Sequence, residues 1–338
     1  MCSVNSVRGN NSPNFKKRTF QNLSHTPQLT EGYTFLRVIK ENLLTSWPDK
    51  IPSHVLPSMK TNLIELPKDE EVLVWFGHSS YFMQLDGKRF LIDPVFSGHA
   101  SPFPGMINAF KGTDIYTVDD LPNIDYLFIT HDHYDHLDCK TIVKLRPKVN
   151  TVICGLGVAS HLIKWGYSAS NIIEKDWYDS FSLDNQFTVH ALPARHFSGR
   201  GFVRNNTLWC SYLLETSTMK IYIGGDSGYD THFADIGKRF NDIDLAILEN
   251  GQYNNAWRYI HMHPNEVLQA ALDLKAKRVF PVHSGKFSLS THAWFEPLTR
   301  ISELNKQHNI PLITPLIGEK VYLKNGDREF RPWWTEHS

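Results

Sequence analysis

Residues 129–138 read Ile-Thr-His-Asp-His-Tyr-Asp-His-Leu-Asp, and this stretch decides which fold and which chemistry the rest of the chain must serve. It follows an apolar run that predicts a buried strand, and it leads into a segment with helical periodicity. His131 and His133 are spaced i, i+2, so on an extended chain both imidazoles point to the same side and can bind one metal ion. Asp135 and His136 follow as the helix begins, and we expect them to face a second metal position.

The pattern HxHxDH is a specific signal. Three histidines and one aspartate at these offsets should arise by chance on the order of once in several hundred chains of this composition. A polar loop with incidental histidines is the alternative, and the position between a strand and a helix argues against it. Imidazole and carboxylate ligands together suit zinc, with iron and manganese as the other candidates.

A site for two metal ions needs further ligands, and three later segments offer them at the ends of predicted strands. His196, Asp226 and His283 each follow an apolar run, and Asp226 lies in a glycine-rich turn. Taken singly, Asp226 could be a helix cap, and either histidine could be an ordinary loop residue. As a set on successive strand ends, in the order His, Asp, His, they predict the remaining ligands of a two-metal site.

The apolar runs predict one layered α/β domain. Three short strands come first within residues 72–92, with Asp86-Gly87 as a hairpin turn between the second and the third. Residues 94–123, rich in Pro and Gly, are expected to form a long loop. Strands and helices alternate after that, and no linker interrupts the chain after residue 60. The later strands are predicted at 126–130, 151–154, 187–192, 208–215, 220–224, 245–248, 279–282 and 320–323, and the helices at 138–145, 158–165, 231–240, 264–274 and 293–305.

Residues 1–60 are predicted to be an N-terminal extension that packs on the domain formed by residues 61–338. They are rich in Asn, Ser, Pro, Lys and Arg, and only residues 33–44 suggest a helix. We expect about the first 20 residues to be mobile and the remainder to wrap against the main domain.

Composition argues against several classes of function. Lys and Arg total 35, as do Asp and Glu, so no basic surplus favours nucleic acid as a partner. No run approaches the ~18 apolar residues of a membrane span. The first residues lack the apolar core of a signal peptide, so the cytoplasm is the expected location. The four cysteines form no CxxC pair and are expected to be reduced thiols.

Several motifs resemble those of a known superfamily. The HDHYDH segment at 131–136, the strand end at His196, GGDSGY at 224–229 and PVHSGKF at 281–287 resemble the metal-binding motifs of the metallo-β-lactamase superfamily. WFGHSS and LIDPVF, within residues 75–96, together with the tyrosine of HDHYDH, are similar to a narrower branch. That branch holds the N-acyl-phosphatidylethanolamine-hydrolysing phospholipases D and their bacterial relatives, and the resemblance extends over residues 70–325.

The resemblance implies a fold and a set of ligands. The expected architecture is the α/β, metallo-β-lactamase αββα sandwich, with two mixed β-sheets packed face to face and helices on both outer faces, so that residues 61–338 form its catalytic domain. His131, His133 and His196 would bind the first zinc, and Asp226 would bridge to the second. The second zinc would be bound by the three remaining ligands, Asp135, His136 and His283. His78 falls outside this set and either orders the site from behind the ligands or is purely structural.

A hydrolase with two zinc ions is the activity that the resemblance implies. Such ions lower the pKa of a bridging water to about 7, so the resulting hydroxide attacks without a protein nucleophile. The ligands Asp135 and Asp226 would take part in this chemistry. A phosphodiesterase of the phospholipase D type is the favoured interpretation. A hydrolase of carboxyl esters or lactones is the alternative, and a metal-binding scaffold without activity is a third, which the complete ligand set argues against.

Substrate contacts are less well defined by the sequence. His261 lies where the phospholipase branch places a histidine near the substrate, so it is a candidate proton donor or phosphate contact. The alternative is a solvent-facing histidine at a helix start, and His263 is better explained as a helix cap. Arg195 and Arg200 flank His196 and could meet an anionic group.

The expected partner is a small-molecule or phospholipid substrate. Aromatic residues within 96–110 and 254–259 could line a cleft for acyl chains. No strongly amphipathic anchoring helix stands out, so peripheral contact with the inner membrane surface is only a possible addition. A homodimer is the expectation that the family provides.

Overall fold

The fold is built on two β-sheets. It is known from a computed structural model that describes residues 11–103, 105–201, 203–324 and 328–335. The strands are β1 Phe15–Lys16, β2 Thr19–Phe20, β3 Val72–Trp75, β4 Tyr81–Leu85, β5 Lys88–Ile92, β6 Ile124–Ile129, β7 Val149–Gly155, β8 Ile172–Lys175, β9 Ser180–Ser182, β10 Thr188–Leu192, β11 Ser211–Glu215, β12 Lys220–Ile223, β13 Leu245–Glu249, β14 Val279–Val282 and β15 Lys320–Tyr322. The helices are α1 Phe35–Leu44, α2 Cys139–Leu145, α3 Ala159–Lys164, α4 His232–Phe240, α5 Pro264–Asp273 and α6 Glu296–Asn305.

Both sheets are mixed. The seven-stranded sheet has the order β15-β3-β4-β5-β6-β7-β8, and the six-stranded sheet has the order β14-β13-β12-β11-β10-β9. In each sheet the antiparallel strands adjoin a parallel set, which is β5 to β8 in the first sheet and β12 to β14 in the second. The carboxyl ends of these parallel strands meet at one edge of each sheet, where loops are free to carry functional side chains.

Side-chain alternation along the strands separates the layers. In β3, Leu73 and Trp75 point between the two sheets, whereas Val72 and Val74 point to the opposite side. There they pack in one cluster with residues of α2 and α3. The helices α4, α5 and α6 cover the outer face of the six-stranded sheet in the same way. The αββα sandwich expected from the resemblance is therefore confirmed.

The elements predicted from apolar runs are present, with bounds that differ by no more than three residues. Asp86 and Gly87 make the predicted two-residue turn of the β4–β5 hairpin, and both have positive φ angles, of 47° and 74°. Such angles are typical of the turn type that joins tightly paired strands. Strands β8 and β9 and the hairpin β1–β2 were not predicted, because they are short and lack a clear apolar alternation.

The described part of the N-terminal extension lies against the main domain. Phe20, only 1% exposed, packs in the core between the sheets, and its backbone N–H donates to the carbonyl of Asn205. Mobility was expected of about the first 20 residues. Residues 1–10 lie outside the described residues, whereas residues 15–20 contain the paired strands β1 and β2. No helix in the described ranges is long and apolar enough to cross a bilayer.

Candidate metal centre

The predicted ligands all lie where strands end at one edge of the sandwich. The HDHYDH segment directly follows β6, and His283 directly follows β14. His196 comes a few residues after β10, and Asp226 comes a few residues after β12. The structure thus brings together seven side chains from four separate segments, and their role as metal ligands stays a prediction.

Three histidines form a first group. His131 Nε2 lies 2.9 Å from His133 Nδ1, and that same His133 atom lies 3.2 Å from His196 Nε2. Hydrogen bonds alone satisfy such a cluster poorly, since a neutral imidazole has one N–H and one lone pair. A single cation could accept lone pairs from all three nitrogens.

Two histidines and an aspartate form a second group beside the first. Asp226 lies between the two groups and directs one carboxylate oxygen to each. Its Oδ2 is 3.7 Å from both His131 Nε2 and His196 Nε2, while its Oδ1 is 3.2 Å from His136 Nε2 and 3.1 Å from His283 Nδ1. The third member, Asp135, has its Oδ2 3.5 Å from His136 Nε2. This is the arrangement that a bridging ligand requires.

Buried atoms without partners support a fit to metal. His136 Nε2 and Asp226 Oδ1 are buried, and neither has a hydrogen-bond partner among the described residues. Unsatisfied buried polar atoms are costly, and these two face each other at the centre of the second group. Imidazole nitrogens and carboxylate oxygens are donors that suit zinc, iron or manganese. The residues therefore fit two divalent ions, although the donor set does not select one metal.

Partners behind the ligands fix the orientation of the rings. Asp93 Oδ2 lies 2.8 Å from His136 Nδ1 and also accepts from the hydroxyl of Thr130. Such a carboxylate holds the proton on the outer ring nitrogen and leaves the inner one free to bind a metal. His78 Nε2 lies 2.8 Å from Asp135 Oδ2, which places His78 directly behind a predicted ligand. Asp93 was not predicted, although a carboxylate at the end of a buried strand is a signal for it.

His261 lies at the centre and is held by a carboxylate that the sequence analysis missed. Its Nδ1 is 2.6 Å from Glu249 Oε2, and the other oxygen of Glu249 accepts from the Met262 N–H at 2.9 Å. Glu249 ends β13 and is fully buried. His263 is the N-cap residue immediately before α5, and its backbone N–H donates to the Glu266 side chain, so the expected capping role is confirmed.

Burial dominates the titration of these groups. It holds the pKa values of His131, His196 and His283 well below the usual range and lowers the pKa of His133 to about 4. These imidazoles are therefore neutral at pH 7, which is the form that binds metal. Burial also raises the pKa of Asp226 to about 6.

A cavity of about 280 Å³ opens above the centre. Its floor includes His133, Asp135, Asp226 and His261, and its walls are mainly apolar. The wall residues come from the N-terminal extension and from several loops, and they are Gln28, Leu29, Phe35, Phe197, Arg204, Gln252, Trp257, Ile260 and Leu289. Trp257 was among the aromatic residues expected at a cleft, whereas the lining of this cavity includes none of the residues 96–110.

The two predicted anion-binding arginines are engaged elsewhere. Arg195 donates to Thr26 and to the carbonyls of His25 and Tyr229. Arg200 donates to the carbonyls of Asp132 and Leu137, at the two ends of the metal-binding loop, so it braces this loop. The guanidinium that lines the cavity belongs instead to Arg204.

Comparison with known proteins identifies the family. The model of the β-lactamase superfamily domain matches residues 88–284. The chain belongs to the β-lactamase superfamily. An uncharacterised protein of Mycobacterium tuberculosis is 36% identical over 327 residues, which is 96% of this chain and 87% of that protein. The chain is thus a metal-dependent hydrolase of this superfamily.

Two further likenesses concern the branch and the fold. The N-acyl-phosphatidylethanolamine-hydrolysing phospholipase D 1 of Caenorhabditis elegans is 27% identical over 309 residues, 85% of either chain. Igni18, a metallo hydrolase of Ignicoccus hospitalis, superimposes with a TM-score of 0.56 at 18% identity, covering 74% of this chain and 97% of that one. The expected relation to the phospholipase branch is confirmed, and Igni18 shows the shared fold.

We expect the affinity for metal to weaken progressively as the pH falls below about 6, because protons then compete with the metal for the carboxylate of Asp226. A raised carboxyl pKa makes the aspartate take up its proton at a higher pH than an exposed aspartate would. Metal content after dialysis at a series of pH values measures this loss, with circular dichroism at each pH as the control for folding. Full metal retention in folded protein at pH 4 would contradict the expectation.

Proposed function

We propose that the chain is a phosphodiesterase that uses two divalent metal ions, zinc before iron or manganese, to hydrolyse an N-acylated phospholipid or a related phosphodiester. One observation carries the proposal, namely that Asp226 directs one carboxylate oxygen to each of two ligand groups. The relation to the C. elegans phospholipase, which covers most of both chains, supports the type of substrate.

Seven residues would hold the ions. The first ion would be bound by His131, His133 and His196, the second by Asp135, His136 and His283, and Asp226 would bind both. When bound, such a pair lowers the pKa of a water molecule to about 7 and stabilises negative charge on phosphoryl oxygens. No side-chain nucleophile is then required.

His261 is the group placed to handle the leaving-group proton. Its Nδ1 is engaged by Glu249, and its ring lies over the ligands, with ring centroids 5.2 Å from His283 and 5.1 Å from His196. Burial raises the pKa of Glu249 well above its usual range, so the protonated carboxyl donates to Nδ1 and the ring proton is on the opposite nitrogen, Nε2. From Nε2 this proton can be transferred to the departing alkoxide oxygen, while Nδ1 takes up the proton of Glu249. Glu249 positions the ring and fixes the tautomer.

The shape of the cavity bears on the choice between lipids and small esters. A volume of about 280 Å³ is small for a complete phospholipid, which favours a carboxyl ester or a lactone as the second candidate. The apolar wall favours a lipid, whose phosphodiester and first carbons would occupy the cavity while the acyl chains continue outward along α1. Phe35 of α1 both lines the cavity and is 58% exposed, so this path is continuous with the protein surface.

Replacing Asp226 tests the two-metal centre. We expect the wild type to hold about two metal ions and to hydrolyse bis(p-nitrophenyl) phosphate, and Asp226→Asn to lose metal and at least about 100-fold in kcat/KM. Metal analysis by mass spectrometry and the release of p-nitrophenol measure both effects. Asp235→Asn, on the exposed surface of α4, is the matched control. A wild type that holds two ions but turns over only lactones would move the assignment to the second candidate.

Replacing His261 tests the proton donor through the leaving group. We expect His261→Gln to lose about 10²–10⁴-fold in kcat on an N-acyl phospholipid, whose alkoxide leaving group needs a proton. The loss should be much smaller on bis(p-nitrophenyl) phosphate, because p-nitrophenolate leaves without one. Glu249→Gln should also lose more kcat on the phospholipid than on bis(p-nitrophenyl) phosphate, but with a smaller difference than His261→Gln. His263→Gln is the control. Equal losses on both substrates would assign His261 to binding instead.

The same proposal includes contact with a lipid surface. Leu36, Ile39 and Leu44 of α1 are 80%, 54% and 73% exposed, so this helix presents apolar side chains outward, which was not predicted from the sequence. Leu36 and Ile39 lie on the side of α1 that adjoins Phe35 at the cavity. A phospholipid must leave its bilayer to reach the centre, and an apolar helix beside the cavity would lower the cost of that transfer.

We expect Leu36→Asp combined with Ile39→Asp to weaken sedimentation with phosphatidylethanolamine–phosphatidylglycerol vesicles, because two charges replace the exposed apolar contacts. Turnover of the water-soluble bis(p-nitrophenyl) phosphate should be unchanged. Leu272→Asp is the control, because it places a charge on an exposed leucine of another helix, α5, where the side chain is 44% exposed. If the double variant instead converts a dimer to a monomer and leaves vesicle binding intact, this face is a contact between two copies of the chain.

A further inference from the structure

We propose that Asn22, in the N-terminal extension, is a positioning residue for the metal ligand His196. Its side-chain amide is bonded to both backbone polar groups of His196. Asn22 Nδ2 donates to the His196 carbonyl oxygen at 2.7 Å, and Asn22 Oδ1 accepts from the His196 N–H at 3.1 Å. The inference rests on the proposed function, since it takes His196 to be a ligand.

The backbone of His196 depends on this contact because it lies beyond the sheet. The last residue of β10, Leu192, pairs with Ser211 of β11, and residues 193–198 belong to no strand or helix. His196 is nevertheless fully buried, and a buried peptide group needs partners. The primary amide of Asn22 offers one donor and one acceptor, which is what a neighbouring strand would have offered.

The ring of His196 is held at its far side as well. His196 Nδ1 lies 2.9 Å from the carbonyl oxygen of Ile260, so Nδ1 carries the proton and Nε2 keeps its lone pair for the centre. Nε2 points toward His133 Nδ1 and Asp226 Oδ2. With the backbone and Nδ1 both fixed, the position of Nε2 is fixed too. Metal affinity depends on this kind of orientation from behind the ligands.

Asn22 is in turn held in place by the core. The indole N–H of Trp209, a residue only 1% exposed, is shared between the Ala194 carbonyl oxygen at 2.9 Å and Asn22 Oδ1 at 3.1 Å. This bond also identifies Oδ1 as the oxygen of the amide, since an indole N–H can only donate. The positioning contact therefore joins the extension, the core and a ligand in one chain of hydrogen bonds.

A second asparagine of the extension provides a matched control. Asn14 Nδ2 donates to Asp176 Oδ1 at 2.9 Å, so Asn14 also ties the extension to the main domain, but its partner is no ligand. Both asparagines are half-buried. A change at Asn14 therefore removes one attachment of the same segment without touching His196.

The experiment is a Co²⁺ titration of the full chain after its resident metal has been stripped by a chelator, followed by visible absorption. Asn22→Asp keeps the shape of the side chain but replaces the Nδ2 donor with an oxygen that repels the His196 carbonyl. We expect one of the two binding steps to weaken about 10–100-fold in Asn22→Asp and in Asn22→Ala, with a changed absorption spectrum for that step. Asn14→Ala should bind Co²⁺ as the wild type does.

Thermal unfolding of the stripped proteins shows whether the variants fold alike. Wild-type Co²⁺ affinity in folded Asn22→Asp overturns this inference and leaves the proposed function intact. Equal weakening in Asn14→Ala also overturns it, because the effect would then belong to attachment of the extension as a whole. A wild type that binds no Co²⁺ overturns this inference and the proposed function together.

Discussion

A carboxylate removed from water must be balanced by positive charge or by donated hydrogen bonds, and Asp226 imposes this requirement at the centre of the molecule. It is 3% exposed, and its nearest polar neighbours are imidazoles that burial itself keeps neutral, except for His136. The pKa of His136 is instead raised well above its usual range, because the charges of Asp226, Asp135 and Asp93 together outweigh its burial. Without metal, a proton on Nε2 of His136 could offset only one of these three carboxylates, and a cation at the centre would take the place of that proton. Divalent cations are the natural complement to such a site.

Two other segments pack closely against the turn that carries Asp226, and this close packing explains why the turn is rich in glycine. A Cβ on Gly225, where φ is 60°, would lie 2.8 Å from the Cβ of Thr130, and a Cβ on Gly228 would lie 2.0 Å from the carbonyl oxygen of Tyr259. The turn thus passes close to the segment that carries the first histidines on one side and to the segment that carries His261 on the other. Any larger residue would push the carboxylate of Asp226 away from one of them.

The sequence predicted which side chains meet at the centre better than it predicted the groups behind them, for a physical reason. The candidate ligands in HxHxDH share one local spacing, and His196, Asp226 and His283 follow apolar runs that are visible without a structure. Glu249 also follows such a run, but its partner His261 lies in a different loop, and only the packing of β13 beside the GGDSGY turn brings them together. Arg195 and Arg200 were expected to face an anion, and they bond to backbone carbonyls instead because those carbonyls have no strand partners.

The N-terminal extension was the least predictable part, since residues 22–32 show neither helical nor strand periodicity. Their placement depends on single polar contacts with distant residues, such as the bond from the Thr30 N–H to the Ala256 carbonyl at 2.8 Å. These contacts put Gln28, Leu29 and Phe35 over the centre as one wall of its cavity. The metal-binding loop supplies chemistry common to phosphoryl and acyl transfer, so it cannot by itself select a substrate. Selection would then depend on groups that touch the substrate away from the centre, and the extension supplies three of the nine wall residues of this cavity.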